Sequence, residues 1–121
     1  MLYAILCYHD ETAVGSWTKE EDDAVIAKRA IVTKKLAAEG RLGPVARLMP
    51  TTAATTIRSG REQLVIDGPF AETKEQLLGF YIVDCATLEE AIATASLMKR
   101  DESGAFEIRP LRTFDPGVSV E

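Results

Sequence analysis

The chain has one histidine, His9, and two cysteines, Cys7 and Cys85, with no Cys-x-x-Cys pair. That inventory contains no zinc-ligand spacing, so no metal or other cofactor is expected. Positive charge is also short: 14 Lys and Arg stand against 19 Asp and Glu, a net charge of −5. The basic residues are interleaved with acidic ones, which excludes nucleic acid as the main partner, because phosphate binding needs them clustered. Long apolar runs are missing too. The first, Met1 to Tyr8, is stopped by Asp10 and has neither the length of a membrane span nor the pattern of a signal peptide. No repeat, linker or low-complexity segment occurs. These absences predict a cytoplasmic protein with no membrane partner, its two thiols reduced within the core.

What is present is an ordinary globular composition, 46% hydrophobic and 27% charged over 121 residues, enough for one domain with a single core. Leu2 to Tyr8 reads as a strand with Leu2, Ala4, Leu6 and Tyr8 on one face and Tyr3, Ile5, Cys7 and His9 on the other. Both faces are largely apolar, as in a central strand covered on each side. Glu11 to Trp17 reads as a loop. Thr18-Lys19-Glu20-Glu21 is a capping box opening a helix that ends at Gly40. Its apolar row is Val25, Val32 and Leu36, flanked by Ala24 and Ile31. Arg29 falls inside that row, where a guanidinium either snorkels to the core's edge or points into a pocket.

Leu42 to Leu48 predicts an irregular strand broken by Gly43-Pro44, and Thr51 to Thr55 an extended segment. Thr56 to Arg58 and Gln63 to Ile66 predict two strands joined by the turn Ser59-Gly60-Arg61-Glu62. Thr87 caps a second helix with the apolar face Leu88, Ala91, Ile92, Ala95 and Met98, and Phe106 to Leu111 closes as a strand. The order is α+β and predicts a ferredoxin-like split βαβ sheet with both helices on one face. The domain is expected over residues 1–112, followed by a tail over 113–121. A sheet of this kind leaves one face bare, and its apolar side chains predict a homodimer.

Between two of the strands lies Asp67-Gly68-Pro69-Phe70-Ala71-Glu72-Thr73-Lys74-Glu75, then Gly79-Phe80. Asp-Gly-Pro is a strong chain break: Asp67 bonds local backbone, Gly68 permits positive φ, and Pro69 fixes the exit. This run, together with Glu107-Ile108-Arg109-Pro110-Leu111, closely resembles the signature of the YCII-related proteins of the DGPF group. The resemblance covers nearly the whole chain. It implies a dimeric α/β barrel of ferredoxin-like subunits and an association with extracytoplasmic-function sigma factors. The YCII branch of that family has a proposed histidine–aspartate acid–base pair, and a member is linked to dechlorination of a chlorinated hydroquinone. Counting back from Gly40, that histidine position falls on Arg29, whereas the only histidine here is His9 on another element. The branch's enzymatic assignment therefore does not carry over.

The candidate catalytic residues are His9, beside Asp10 at a strand end, and Asp67 at the turn. Candidate ligand-binding residues are Arg29, Asp67, Phe70, Glu72, Lys74, Glu75 and Arg109, the two arginines suiting a carboxylate or phenolate. Most have a structural alternative: His9 as a polar strand terminus facing water, Asp67 as a backbone-bonding turn residue, Glu72, Lys74 and Glu75 as an exposed ion-pair cluster, Arg109 as a partner of Glu107 or of a cross-strand neighbour. Two functions stand side by side. One is a small polar organic ligand bound in a cavity beside the DGPF turn, with cofactor-free acid–base chemistry. The other is a non-catalytic regulatory or protein-interaction module.

Overall fold

Strand β1 (Leu2–Asp10) pairs on both edges and carries the rest of the chain. A computed structural model describes every residue except Arg61, Gln63, Val120 and Glu121. Helix α1 (Glu11–Gly15) and helix α2 (Lys19–Ala38) follow, then β2 (Leu42–Arg47), a 3₁₀ turn (Thr51–Ala53), β3 (Thr55–Arg58) and β4 (Leu64–Asp67). The chain continues through β5 (Glu75–Asp84), α3 (Leu88–Lys99) and β6 (Ala105–Pro110). The main sheet has the order β2-β5-β1-β6 with every neighbouring pair antiparallel. Setting aside the β3–β4 hairpin, that is the arrangement of a ferredoxin-like fold.

Register decides which side chains meet the helices. Tyr3, Ile5 and Cys7 sit opposite Val83, Tyr81 and Gly79 on one side, and opposite Pro110, Ile108 and Phe106 on the other. This face joins Leu36 of α2 and Ala91, Ala95 and Met98 of α3 in the buried core. Both cysteines are buried free thiols within it. The opposite face carries Leu2, Ala4, Leu6 and Tyr8 beside Phe80 and Ile82. At Cys7/Tyr8 the pairing with β5 slips, so that Cys7 faces Gly79 and Tyr8 faces Leu77. Leu78 is the extra residue of this bulge, a device that re-aims a side chain. Gly79 is needed because a Cβ there would stand 2.8 Å from the Ala46 carbonyl oxygen of β2.

Thr18 caps α2 as its sequence indicates: the Glu21 amide donates to Thr18 Oγ1 at 3.1 Å and the Thr18 amide to Glu21 Oε1 at 3.1 Å. Gly40, at φ +70, ends the helix in the left-handed region. Thr87 caps α3 by accepting the Glu90 amide at Oγ1, 3.1 Å, while the Glu90 carboxylate takes the amide of Ala86 at 3.2 Å. Four expectations need correction. Glu11 to Gly15 is helical, because the Asp10 carboxylate accepts the Thr12 amide at 2.8 Å and starts a turn there. Thr51–Ala53 forms a 3₁₀ turn instead of an extended segment, held by Glu11, whose carboxylate accepts from the Thr51 amide and hydroxyl. Ile31, placed beside the apolar row of α2, is 73% exposed. In α3, Leu88 and Ile92 are exposed and Thr94 occupies the buried stripe with Ala91, Ala95 and Met98.

β3 and β4 form a separate two-stranded sheet with Ile57, Leu64, Val65 and Ile66 exposed. Parts of its predicted strand and turn, Gln63 and Arg61, lie outside the described residues. Beyond β6 the Leu111 amide continues the pairing to the Leu2 carbonyl, and 113–119 has no regular structure. Among the described residues no helix is long and apolar enough to cross a membrane.

Candidate functional site

Six positions of α2, namely Asp22, Val25, Ile26, Arg29, Ala30 and Thr33, recur at intervals of three and four and so share one helical face. They look across at β1, β2 and β5, and the gap between is a cavity of about 380 Å³. Cys7 and His9 close it from β1, Leu42, Val45 and Arg47 from β2, and Leu78 and Tyr81 from β5. Val14 and Trp17 stand at the α1–α2 end. The bulge that displaces Leu78 brings it to this wall. The volume falls in the range of roughly 300–1,000 Å³ typical of small-molecule sites, and such mostly apolar walls with a few polar groups are their usual build.

Arg29 is the central polar group. Its Nε donates to Glu102 Oε2 at 3.0 Å and its Nη2 to Glu102 Oε1, a bidentate pair. Nη1 points to the Tyr81 hydroxyl at 3.4 Å, and the guanidinium lies 5.0 Å from the Phe106 ring centre and 5.9 Å from that of Tyr81. Lys28 Nζ reaches the same carboxylate at 2.6 Å. Two cations thus share one anion whose side chain is only 4% exposed. Burial alone would raise the Glu102 carboxyl, but the hydrogen bonds from Arg29 and Lys28 outweigh it and hold the group below its ordinary value. For Arg29 burial acts against the charge, and the bonds to Glu102 and Tyr81 keep it firmly protonated.

His9 touches Trp17 edge-on at 5.7 Å between ring centres. Its Nδ1 lies 3.2 Å from the Asp10 carbonyl oxygen and its Nε2 2.7 Å from Ser103 Oγ. A carbonyl oxygen only accepts, so in the neutral ring the proton sits on Nδ1 and Nε2 accepts from Ser103. Both ring nitrogens are therefore engaged. The Asp10 carboxylate is spent on capping α1, so His9 and Asp10 do not meet side chain to side chain. Cys7 is protonated here: burial pushes its thiol up to about 11. Arg47 and Asp22 form a second bidentate pair at 2.7 and 3.2 Å on the rim, which lowers Asp22 below its usual range chiefly through the hydrogen bond from Arg47.

Of the residues singled out from sequence, the structure brings His9 and Arg29 together in this cavity. Asp67, Phe70, Glu72, Lys74, Glu75 and Arg109 do not line it. Asp67 is exposed at the end of β4, and the turn behind it is fastened by the Gly68 amide to the Ala54 carbonyl and by Thr56 Oγ1 to the Gly68 carbonyl, both at 2.8 Å. Phe70, 71% exposed, lies beneath the Arg58 guanidinium at 4.8 Å. Glu72 and Lys74 are exposed, Glu75 pairs with Asp10 where the two inner strands end, and Arg109 lies exposed opposite Ala4. Sequence reasoning missed Trp17, Asp22, Arg47, Tyr81 and Glu102. The arginine inside an apolar helical row and the histidine at the end of β1 were the signals pointing here. Among the described residues no group of three His, Cys, Asp or Glu side chains could hold a metal ion.

The chain matches the family model of the YCII-related domain over residues 1–115. It is similar to "Uncharacterized protein R00369" of Rhizobium meliloti (strain 1021), with 53% identity over 120 residues and 97% of each chain covered. On a match that spans all three α-helices and every strand described above, the chain belongs to the YCII-related family.

Proposed function

We propose that the protein binds a small organic molecule in the cavity between α2 and the sheet, with Arg29 and Tyr81 holding an anionic group such as a carboxylate or phenolate. The observation that carries this reading is the half-buried Arg29. Its Nε and Nη2 are committed to Glu102, its Nη1 has only the longer 3.4 Å contact to the Tyr81 hydroxyl, and both residues line a largely apolar space. A guanidinium fixed by a buried carboxylate is preorganised, so a ligand need not order it. Lys28 leaves the Arg29–Glu102 group with one excess positive charge, which favours an anion. Acid–base chemistry on the bound molecule would fall to His9, and would require its ring to give up one of its two present partners.

Phenylacetate is a suitable probe. Calorimetry and the fluorescence of Trp17, the single tryptophan, should report binding that Arg29→Gln weakens at least tenfold while thermal unfolding remains cooperative. Equal binding by the variant would refute the assignment.

The nine-residue Asp67 to Glu75 run supports placing the chain in the DGPF group, with the turn shaping the hairpin. The apolar face of Leu2, Leu6 and Phe80 and the exposed hairpin residues Ile57 and Val65 favour pairing of two copies as a dimeric α/β barrel. A sedimentation measurement yielding a monomer at micromolar concentration would exclude that pairing.

A further inference from the structure

We infer that the ligand is an elongated monoanion, its charged end at Arg29 and its apolar tail running past Trp17 into a second cavity; this rests on the binding reading above. The second cavity, about 480 Å³, lies between the α1–α2 turn and the segment after β2. Val14, Trp17, Asp22, Arg47 and Leu78 line both spaces, so the two share one wall. The polar part of that wall is the Asp22–Arg47 pair, whose side chains are 31% and 58% exposed. Both side chains keep access to solvent, so the pair can part for a passing chain without leaving either charge desolvated.

The chemistry of the outer cavity selects an apolar tail over a second anion. Each charged group lining it already has a partner within the chain. Glu11 accepts from Thr51, Lys19 pairs with Asp23 at 2.9 Å, and Arg47 pairs with Asp22. The surface left for a ligand belongs to Val14, Trp17, Leu48, Met49, Pro50 and Leu78. Leu48 and Met49 are 44% and 76% exposed, apolar area that a tail would cover.

The test is a series of straight-chain carboxylates from butanoate to decanoate, titrated by calorimetry against the wild type and Gly15→Phe. Gly15 lines the outer cavity, and a Cβ there meets nothing within 4 Å, so the backbone accepts a side chain and the substitution adds a phenyl ring at that cavity's wall. Wild-type affinity should rise up to roughly fourfold per added methylene through the longer members. Gly15→Phe should flatten the rise while leaving butanoate binding within about twofold. Affinity that levels off at the short acids overturns the elongated ligand and leaves the inner site standing, as does a rise that Gly15→Phe does not change. Absence of binding by every acid overturns the inner site, and the tail assignment with it.

Discussion

Replacing Glu102 with glutamine keeps the side chain's shape and removes the one anion that Arg29 and Lys28 share. Breaking a fully buried ion pair by deleting one partner costs about 3–5 kcal/mol. Here the Arg29 side chain retains 21% exposure, Lys28 retains 27%, and the glutamine carbonyl still accepts one hydrogen bond, so the cost should be about 2 kcal/mol. For a domain of 121 residues that corresponds to a drop of about 8 °C in Tm. The pH dependence sharpens the test. The folded carboxyl titrates below its ordinary value of 4.5, so its stabilisation is complete above that pH and is lost as pH falls through the folded-state value. Glutamine does not titrate. Thermal unfolding followed by circular dichroism should therefore show the full gap between wild type and Glu102→Gln near neutral pH, narrowing below about pH 4.5. A neutral-pH gap under about 2 °C, or one that is constant or wider in acid, would refute the role given to this carboxylate.

Three further outcomes follow from the same geometry. Gly104→Ala should destabilise by about 2 kcal/mol or more, since φ is +87 and a Cβ would lie 2.6 Å from the Tyr8 carbonyl oxygen and 2.7 Å from the His9 ring; a melt together with the His9 ring resonances checks it. Thr18→Ala should cost about 1 kcal/mol through loss of the α2 cap, measurable by denaturant titration at unchanged m-value. Native Cys7, 5% exposed and with its thiol pushed up to about 11, should react with a thiol reagent at mildly alkaline pH only at the rate of opening; rapid stoichiometric labelling would contradict this.

The fold was legible where local rules act alone. The Thr18 capping box, Gly40 and the Thr87 cap are contained within a few residues, and each marks a helix end in the structure. Alternation along β1 likewise separated Tyr3, Ile5 and Cys7 from Leu2, Ala4 and Leu6. The α1 turn was missed because five residues with one capping aspartate give no periodicity to read. The cavity was harder to read for a different reason. Its helical stripe includes Asp22 and Thr33, polar residues that a search for apolar spacing discards. Its anchor, Glu102, sits 73 residues from Arg29, a juxtaposition that only the sheet order creates. The Asp67 to Glu75 run drew attention by its density of turn and charged residues, yet Leu78, a few positions later, is the one that a β-bulge sends to the cavity wall.

The most direct test of the central claim is a map of amide and side-chain NMR shifts on titration with phenylacetate. Saturable shifts are expected, centred on the Trp17 indole, the Arg29 Nε–H and the β5 segment around Tyr81. Shifts concentrated instead on Asp67 to Glu75, with Trp17 and Arg29 unmoved, would contradict it.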